Sequence, residues 1–259
     1  MEEYIVDIHS HIIPKVDDGS KSFEESLEML RLSEKSGTKT IIATPHYFYN
    51  RFEEEYNSLE IILGELLEKV REENINIEIL LGQEIYFHKK VLSLIKGGII
   101  KSINNSNYIL AEASLSDYNK DILDLIYEIR ILGFNIILAH PERYEYVQND
   151  ITILNDFMKE GCLFQINSGS LSGVFGKKIQ KTSFELVKNG YINFIGSDAH
   201  GMGRRNTDLS EGLSILKDLN EDYYNRVIKN GNLLINNCKI RDEFEILKKK
   251  KSFFNFFRR

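Results

Sequence analysis

The stretch YIVDIHSHIIPKVDDGS, residues 4–20, joins a short β-rich run to two histidines and a tight acidic turn. In an extended chain His9 and His11 lie two positions apart, so both imidazoles point to the same side. Asp17-Asp18-Gly19 follows closely and can present a carboxylate to the same region, although Asp-Asp-Gly is also ordinary turn chemistry. A histidine pair at a strand end, followed by an acidic turn, predicts a metal site.

The rest of the chain alternates short β-rich runs with longer amphipathic segments. This alternation is typical of a parallel sheet with crossover helices, and seven strands favour a barrel. The predicted strands are Tyr4–Ile8, Thr40–Ala43, Ile77–Leu81, Tyr108–Ala111, Asn135–Ala139, Leu163–Ile166 and Ile192–Gly196. The predicted helices are Ser22–Ser36, Glu53–Glu73, Asp121–Leu132, Ile151–Glu160 and Lys178–Asn189. Ser22 is expected to cap the first helix, with Glu25 completing a capping box.

Acidic and histidine side chains end six of the seven predicted strands. The sixth strand alone ends differently, in Gln165-Ile166-Asn167-Ser168. In a (β/α) barrel the C-terminal strand ends converge on one face, where catalytic groups lie. Each of these side chains, taken alone, is interpreted as a loop histidine or a helix-capping acid. Taken together, they predict a metal centre. The candidate ligands are His9, His11, Asp18, His46, Glu84, Glu112, His140, Asp198 and His200.

These candidate ligands also indicate the chemistry. Mixed nitrogen and oxygen donors suit Zn²⁺, Mn²⁺ or iron better than Mg²⁺ or Ca²⁺. The ligands outnumber what one ion can use, which predicts two or three ions that share carboxylates, an arrangement typical of phosphoester hydrolysis. Arg143 and one of Arg204 and Arg205 offer guanidinium forks for a phosphate group.

Other side chains near these motifs are predicted to be neither metal ligands nor catalytic nucleophiles. The sixth histidine, His88, has no ligand-like neighbour and is predicted to be exposed. Serine catalysis is disfavoured because no Gly-x-Ser-x-Gly elbow is present. Cys162 and Cys238 lack a phosphate-cradling loop and are predicted to be small, buried structural residues. Aromatic residues that follow the ligands, and that are expected around the mouth of the site, are Tyr47, Phe48, Tyr49, Tyr86, Tyr144 and Tyr146.

Composition sets the class of protein. A chain of 259 residues with 42% hydrophobic residues is ordinary for one barrel, so a single domain is expected over residues 1–247. The formal net charge of −6, with interspersed signs, gives no basic face for nucleic acid. No apolar run approaches the roughly 20 residues that cross a bilayer. The acidic start MEEYIVDIHS is unlike a signal peptide, and a cytoplasmic location is expected.

The last twelve residues, 248–259, form a basic and aromatic tail with the sequence KKKKSFFNFFRR. One interpretation is a solvated terminus, as is common at chain ends. The other is peripheral contact with an anionic membrane surface or a partner groove. The sequence leaves both open.

Taken in order, the motifs DIHSH, VDDGS, TPH, GQEIY, AHPERY and GSDAH resemble the polymerase and histidinol phosphatase (PHP) superfamily. Within it, residues 4–236 closely resemble the bacterial manganese-dependent protein tyrosine phosphatases of the CpsB/YwqE type, from capsule and exopolysaccharide loci. The resemblance implies a distorted (β/α)7 barrel and a site for two or three divalent metal ions, with Mn²⁺ expected. It further implies dephosphorylation of the tyrosine-rich tail of a cognate bacterial tyrosine kinase.

The resemblance also implies a role for each matching residue. One metal would take His9, His11, Glu84 and Asp198; a second would take Glu84, Glu112 and His140; a third would take Asp18, His46 and His200. Arg143 matches one phosphate-binding arginine of the family, and Arg205 matches the other better than Arg204, although the stretch between Gly201 and Arg205 departs from the usual loop. Arg143, Arg205, Asp198 and His200 are therefore the expected catalytic residues.

Two other functions remain open at this point. Another PHP phosphoesterase, such as a histidinol-phosphate or nucleotide phosphatase, would use the same metal centre. A non-catalytic, metal-stabilised PHP scaffold is the alternative from a different class. The VDDGS segment and the aromatic residues favour the tyrosine phosphatases, and the intact ligand set disfavours a scaffold.

Overall fold

The computed structural model describes residues 3–241 and 244–247 of the chain. The strands in this part of the chain are β1 Ile5–Ser10, β2 Thr38–Ala43, β3 His46–Tyr47, β4 Glu78–Leu81, β5 Glu84–Tyr86, β6 Tyr108–Glu112, β7 Asn135–Ala139, β8 Leu163–Asn167 and β9 Phe194–Gly196. All of their pairings are parallel, in the orders β1-β2-β4 and β3-β5-β6-β7-β8-β9.

The two sheets are one barrel wall with two interrupted strands. β3 continues the line of β2 beyond Pro45, and β5 continues the line of β4 beyond Gly82. Pro45 has no N–H to give to the ladder. Backbone bonds span the break, from Gly82 N to Ala43 O at 2.8 Å and from Glu84 N to Pro45 O at 3.0 Å. Each interrupted pair therefore acts as one strand of the wall, and the predicted seven-stranded α/β barrel is confirmed in a distorted form.

The wall is closed between its first and last strands. Ser10 forms an isolated parallel bridge with Ala199. His11 N donates to Ala199 O at 2.9 Å, and Asp198 N donates to His9 O at 2.8 Å. Closure therefore occurs at the residues that carry candidate ligands, which brings the two ends of the motif set together.

The helices pack outside the wall. They are α1 Phe23–Lys35, α2 Tyr56–Glu72, α3 Val91–Lys96, α4 Asp121–Ile131, α5 Glu145–Asn149, α6 Leu154–Lys159, α7 Ser168–Ser172, α8 Lys177–Lys188, α9 Ser210–Leu219 and α10 Glu221–Ile235. Short 3₁₀ turns cover Ile103–Asn105, Pro141–Arg143 and Ile151–Ile153.

Two sequence predictions about helices need correction. Ser22 caps α1 as expected, accepting a hydrogen bond from Glu25 N at 3.2 Å. The Glu25 carboxylate, however, accepts from Lys21 N at 2.8 Å, so the predicted capping box is shifted by one residue. The predicted helix Ile151–Glu160 divides into a 3₁₀ turn and the short helix α6.

Alternation along the strands separates the barrel interior from the helical layer. On β6, Tyr108 and Leu110 face an inner cluster, whereas Ile109 and Ala111 pack in the outer layer. Because side chains on one face recur every two residues, Glu112 points to the same side as Leu110. Apolar side chains fill the middle of the interior, and the candidate ligands lie at its C-terminal end.

No helix among the described residues is long and apolar enough to cross a membrane. Cys162 is buried as predicted, but Cys238 is exposed, because α10 ends at Ile235 and the chain then turns along the surface. The tail of residues 248–259 lies outside the described residues. The division into a domain over 1–247 and a tail stays a prediction.

Candidate metal centre

The C-terminal ends of the strands bring the candidate ligands together: seven of the nine line one cleft of about 330 Å³, and His9 and His11 are buried next to Glu84 and Asp198. His9 lies in β1 and His11 directly after it, whereas Glu84 comes from β5 and Asp198 from the turn after β9. All four are buried, and one donor atom from each lies within 4.8 Å of the others. This four-residue set is called the inner group below.

Hydrogen bonds on the far side of each ring fix the two histidines of the inner group. His9 Nδ1 donates to Gln165 Oε1 at 3.0 Å, and His11 Nδ1 donates to Asp17 Oδ2 at 2.7 Å. In its neutral form each ring therefore keeps a lone pair on Nε2, and the two Nε2 atoms lie 3.2 Å apart. A ring whose other nitrogen donates to an amide or carboxylate oxygen is typical of a metal-ligating histidine.

Glu84 lies at the centre of the inner group. Its Oε2 is 3.2 Å from His9 Nε2, 3.4 Å from His11 Nε2 and 2.9 Å from His46 Nδ1, yet it forms no hydrogen bond. Donor atoms bound to one ion at about 2.1 Å must lie roughly 3.0–3.4 Å from one another. A buried oxygen with this spacing to several lone pairs, and with no hydrogen bond, fits a divalent cation.

The charges of the carboxylates also fit a bound cation. Burial opposes ionisation of Glu84 and Asp198, but the positive charge of His9 in its protonated form outweighs burial and holds the pKa of both carboxyls well below the ordinary value. Burial and the negative charge of Glu84 raise the pKa of Glu112 well above its ordinary value. Positive charge between these acids would remove their repulsion.

Two further sets of donors adjoin the inner group. One contains His46, Glu84 and Glu112, and the other contains His11, His46 and His200. The family pattern expected His140 rather than His46 beside Glu84 and Glu112. His140 Nε2 lies 2.9 Å from Glu84 Oε1 and 3.6 Å from Glu112 Oε1, so it is also close enough to share an ion with them.

The acidic turn after β1 contributes both of its aspartates, in different ways. Asp17 is buried beneath His11 and also accepts from His46 N at 2.8 Å. Asp18 is half-exposed, with Oδ1 at 3.6 Å from His46 Nε2 and 3.5 Å from His200 Nε2. A Cβ at Gly19 would lie 2.4 Å from that of His11, so this turn needs glycine.

Two of the predicted arginines meet at Asp198. Arg143 Nη1 donates to Asp198 Oδ2 at 2.7 Å, and Arg205 Nη2 donates to Asp198 Oδ1 at 2.6 Å. Both guanidinium groups also lie over the ring of Phe175, at 5.1 and 5.8 Å from its centroid. Arg204 is exposed and does not line the cleft. Of the two neighbouring arginines, Arg205 is therefore the one that lines the cleft.

The sixth strand of the predicted set, β8, supplies no ligand but supports two of them. Gln165 Nε2 donates to Asn167 Oδ1 at 2.8 Å, and Asn167 Nδ2 donates to Asp198 Oδ2 at 2.7 Å. Together with the bond from His9, these contacts join His9 to Asp198 through two neutral amides. In the sequence this strand end differs from the others only in having no histidine or acidic side chain. The signal for its role was the alternation that places Gln165 and Asn167 on the inward face.

The backbone is strained at two of the strand ends. His140 has φ of 33° and Asp198 has φ of 51°, both in the left-handed region that side chains other than glycine rarely adopt. Such strain tends to persist where the surrounding structure holds a functional side chain in place. Both residues line the cleft, together with Glu84 and Arg143.

The aromatic residues expected at the mouth divide into two classes. Phe48 and Tyr86 line the cleft, and their rings stack with centroids 4.1 Å apart. Phe52, which the sequence did not single out, also lines the cleft. The prediction is wrong for the fully or largely buried residues Tyr47, Tyr144 and Tyr146. Their side chains are part of the hydrophobic core, and the Tyr144 hydroxyl donates to Ala139 O at 2.8 Å.

Residues 49 and 88 also lie away from the cleft. Tyr49 stacks on His88 with ring centroids 4.9 Å apart. His88 is therefore half-buried rather than exposed as predicted, although it is remote from the ligands as expected.

Comparison with known proteins agrees with this geometry. A family model described as capsular polysaccharide synthesis, CpsB/CapC, matches residues 5–236. The tyrosine-protein phosphatase YwqE of Bacillus subtilis (strain 168) is 32% identical over 254 residues, covering 98% of this chain and 100% of the relative. The tyrosine-protein phosphatase CpsB of Streptococcus pneumoniae is 30% identical over 217 residues, covering 82% of this chain and 89% of the relative.

Solved structures give the same result. One from the work on YwqE and CpsB, described as unique metal-dependent tyrosine phosphatases, superposes with a TM-score of 0.90 at 31% identity, covering 95% of this chain and 100% of the other. The phosphotriesterase homology protein of Escherichia coli shares the fold alone, with a TM-score of 0.56 at 13% identity over 89% of this chain and 98% of the other. The chain belongs to the CpsB/CapC family of capsular polysaccharide synthesis proteins.

Proposed function

We propose that the chain is a metal-dependent protein tyrosine phosphatase that acts in the control of capsular or exopolysaccharide synthesis. The observation that carries the proposal is one cleft that combines buried histidine and carboxylate donors, two converging arginines and a stacked aromatic wall. Its relatives named as tyrosine-protein phosphatases support the substrate.

The proposed metal ligands follow the family pattern. His9, His11, Glu84 and Asp198 would hold one ion, Glu84, Glu112 and His140 a second, and Asp18, His46 and His200 a third. Mn²⁺ is the proposed ion, although nitrogen and oxygen sites of this kind also accept iron, cobalt and zinc. When bound, the ions supply an activated water and positive charge for the reacting phosphoryl group.

The side chains of the cleft would bind and orient the substrate. Arg143 and Arg205 are placed to neutralise the phosphoryl oxygens, since a guanidinium fork can hold two of them. Phe48 and Tyr86 offer a flat surface for the phenyl ring of phosphotyrosine. Hydrolysis by direct attack of water, without a covalent enzyme intermediate, is proposed because the bound ions would supply the activated water.

Asp198 and His200 have separate proposed roles. Asp198 bonds to both arginines, so its carboxylate couples the position of the metal ligands to the position of the phosphate-binding groups. His200 lies at the open side of the cleft, where its Nδ1 donates to Asp198 O at 3.0 Å and leaves Nε2 directed towards Asp18. A phenolate leaves readily, so the reaction needs little help from a general acid.

Partner and location are proposed on the same basis. The substrate would be the phosphotyrosine tail of a bacterial tyrosine kinase, and nucleic acid is not a proposed partner. A cytoplasmic location, with peripheral membrane contact through residues 248–259, stays a prediction. Sedimentation with anionic liposomes of the full chain and of a chain ending at Leu247 tests that contact. Equal pelleting of the two chains would remove it.

A substrate panel tests the proposed activity. The full chain, supplied with Mn²⁺, is assayed on a phosphotyrosine peptide, a phosphoserine peptide and histidinol phosphate. The proposal predicts preference for the phosphotyrosine peptide. Preference for either other substrate would favour a different phosphoesterase, and metal binding without turnover of any of the three would favour a scaffold.

A further inference from the structure

A second cavity, of about 780 Å³, adjoins the catalytic cleft. The two share Tyr86, whose ring stacks on Phe48 on the cleft side. They also share the loop after β6, because Leu115 lines the cleft while Ala113 and Ser114 line the cavity. The cavity and the cleft therefore lie on either side of Tyr86 and of this loop, and no candidate metal ligand lines the cavity.

The walls of this cavity are apolar at depth. Leu92 from α3 and Ile122 and Leu125 from α4 contribute aliphatic surface, and Phe157 closes the floor. The half-buried Tyr118 is held in the wall by a hydrogen bond from its hydroxyl to Asp156 Oδ2 at 3.0 Å. An apolar side chain that entered would bury its surface without displacing an ion pair.

The rim of the cavity is mostly acidic. Asp117, Asp121 and Glu128 are exposed there, and the opposing cation is Lys89. None of these four forms a salt bridge among the described residues. The excess of negative charge favours a ligand with a basic group next to its apolar part.

The size of the two spaces indicates how a peptide would occupy them. A phosphotyrosine side chain accounts for the smaller cleft, and two residues of an extended chain span roughly 7 Å. A residue two or three positions from the phosphotyrosine would therefore pass Tyr86 and reach the larger cavity. Cavities of about 300–1,000 Å³ are the usual size for a specific ligand.

The geometry points to a substrate-selectivity subsite. The cavity binds the peptide segment beside the phosphotyrosine, with an apolar side chain against Leu92, Ile122 and Leu125 and a basic side chain at the rim formed by Asp117 and Glu128. The inference rests on the proposed phosphatase function, and it adds the sequence preference of the substrate.

The test compares a substrate that fills only the cleft with one that spans both spaces. The first is p-nitrophenyl phosphate. The second is a phosphotyrosine peptide with leucine two and three positions away on both sides and lysine beyond; in its matched partner the leucines and lysines are serine. The variants are Leu125→Glu in the wall and Glu128→Lys at the rim. Their controls, Ile131→Glu and Asp124→Lys, make the same charge changes at exposed positions of α4 outside the cavity.

The expected results separate the two spaces. Leu125→Glu lowers kcat/KM for the leucine and lysine peptide about tenfold, because it places a charge in an apolar subsite. Glu128→Lys lowers it about fivefold by repelling the basic residue. Both variants hydrolyse p-nitrophenyl phosphate within about twofold of the unmodified chain, and both controls leave both substrates unchanged within the same margin.

Other results would overturn the inference. Equal loss on the small substrate and the peptide would mean that the cavity is structural. Equal turnover of the two peptides by the unmodified chain, or faster peptide turnover in Leu125→Glu, would mean that the substrate does not occupy the cavity. Because Glu128 is exposed, its variant keeps the test valid if Leu125→Glu fails to fold. No turnover of any substrate by the unmodified chain would refute the proposed phosphatase function itself, and the inference with it.

Discussion

The upper and lower parts of the barrel interior are built from the same strands but from opposite kinds of side chain. In the lower part, Ile8, Leu110 and Ile137 fill the interior with apolar volume. At the strand ends above them, the same alternation presents buried histidines and carboxylates. The lower part is stabilised by excluding water, whereas the upper part holds buried carboxylates whose mutual repulsion a bound cation would reduce. Stability and function are therefore expected to respond to different residues.

Replacing a cleft ligand should have the largest effect. His140→Ala removes a donor beside Glu84 and should lower kcat/KM for phosphotyrosine peptide on the order of a thousandfold or more, because the charge at the reacting phosphoryl group is lost. Thermal unfolding of the metal-free chain should change little. His88→Ala, outside the cleft, is the matched control on p-nitrophenyl phosphate. Near-normal turnover by His140→Ala would contradict the proposed site.

Replacing an apolar residue of the lower part should have the opposite result, a large loss of stability with little change in turnover. Leu110 is fully buried, so Leu110→Ala should lower the free energy of unfolding by about 3 kcal/mol through lost burial and a cavity. Turnover per folded molecule should stay within about twofold, because the residue does not contact the cleft. Urea unfolding and assays at low temperature would measure both. A large fall in the turnover of fully folded Leu110→Ala would contradict the expectation that the two parts of the interior serve stability and function separately.

A pH effect should come from the boundary between the two parts. Burial raises the pKa of Glu142 from 4.5 to about 7, although Ser170 Oγ and Asn167 N donate to its carboxylate. The folded state thus holds this proton more tightly than the unfolded state does. Stability from this group is present below about pH 4.5 and is lost as the pH rises to about 7, by at most roughly 3 kcal/mol.

Glu142→Gln should flatten that dependence. Unfolding of the variant and of the unmodified chain in chelator, measured at intervals between pH 4.5 and 7.5, gives the difference. Equal slopes for the two chains would mean that Glu142 ionises normally in the folded protein.

The smallest effect should come from the neutral support on β8. Gln165→Leu removes the acceptor that fixes the tautomer of His9, and loss of such a support typically weakens metal binding about 10–100-fold. Calorimetric titration of the metal-free chain with Mn²⁺ measures this loss directly. Gln165→Glu keeps an acceptor for His9 Nδ1 and should retain more affinity than the leucine variant. Unchanged affinity in Gln165→Leu would show that His9 needs no support.

The sequence allowed prediction of those features that depend on local pattern. The strand and helix alternation, the cap at Ser22 and the charged strand ends all follow from residue periodicity and short motifs. The strand breaks at Pro45 and Gly82 were not predicted, because neither apolar run reveals that its strand resumes after a break of two residues. The helical pattern of residues 151–160 likewise does not reveal that this segment divides into a 3₁₀ turn and the short helix α6.

The parts of the site that the sequence did not predict depend on contacts between distant residues. Phe175 lies in a loop without any motif, and only folding brings it beneath Arg143 and Arg205. Tyr144 and Tyr146 follow a candidate ligand in sequence, yet the 3₁₀ turn at Pro141–Arg143 directs them into the core. Proximity along the chain was therefore a poor guide to which aromatic side chains line the cleft.

Turnover of a phosphotyrosine peptide by the metal-free full chain, measured as Mn²⁺ is added, tests whether the cleft is a metal-dependent active site. We expect no turnover before addition, a saturable rise that requires two or more ions per chain, and loss of the rise in His140→Ala. Turnover that persists in the metal-free chain, or that is absent although Mn²⁺ binds, would contradict this expectation.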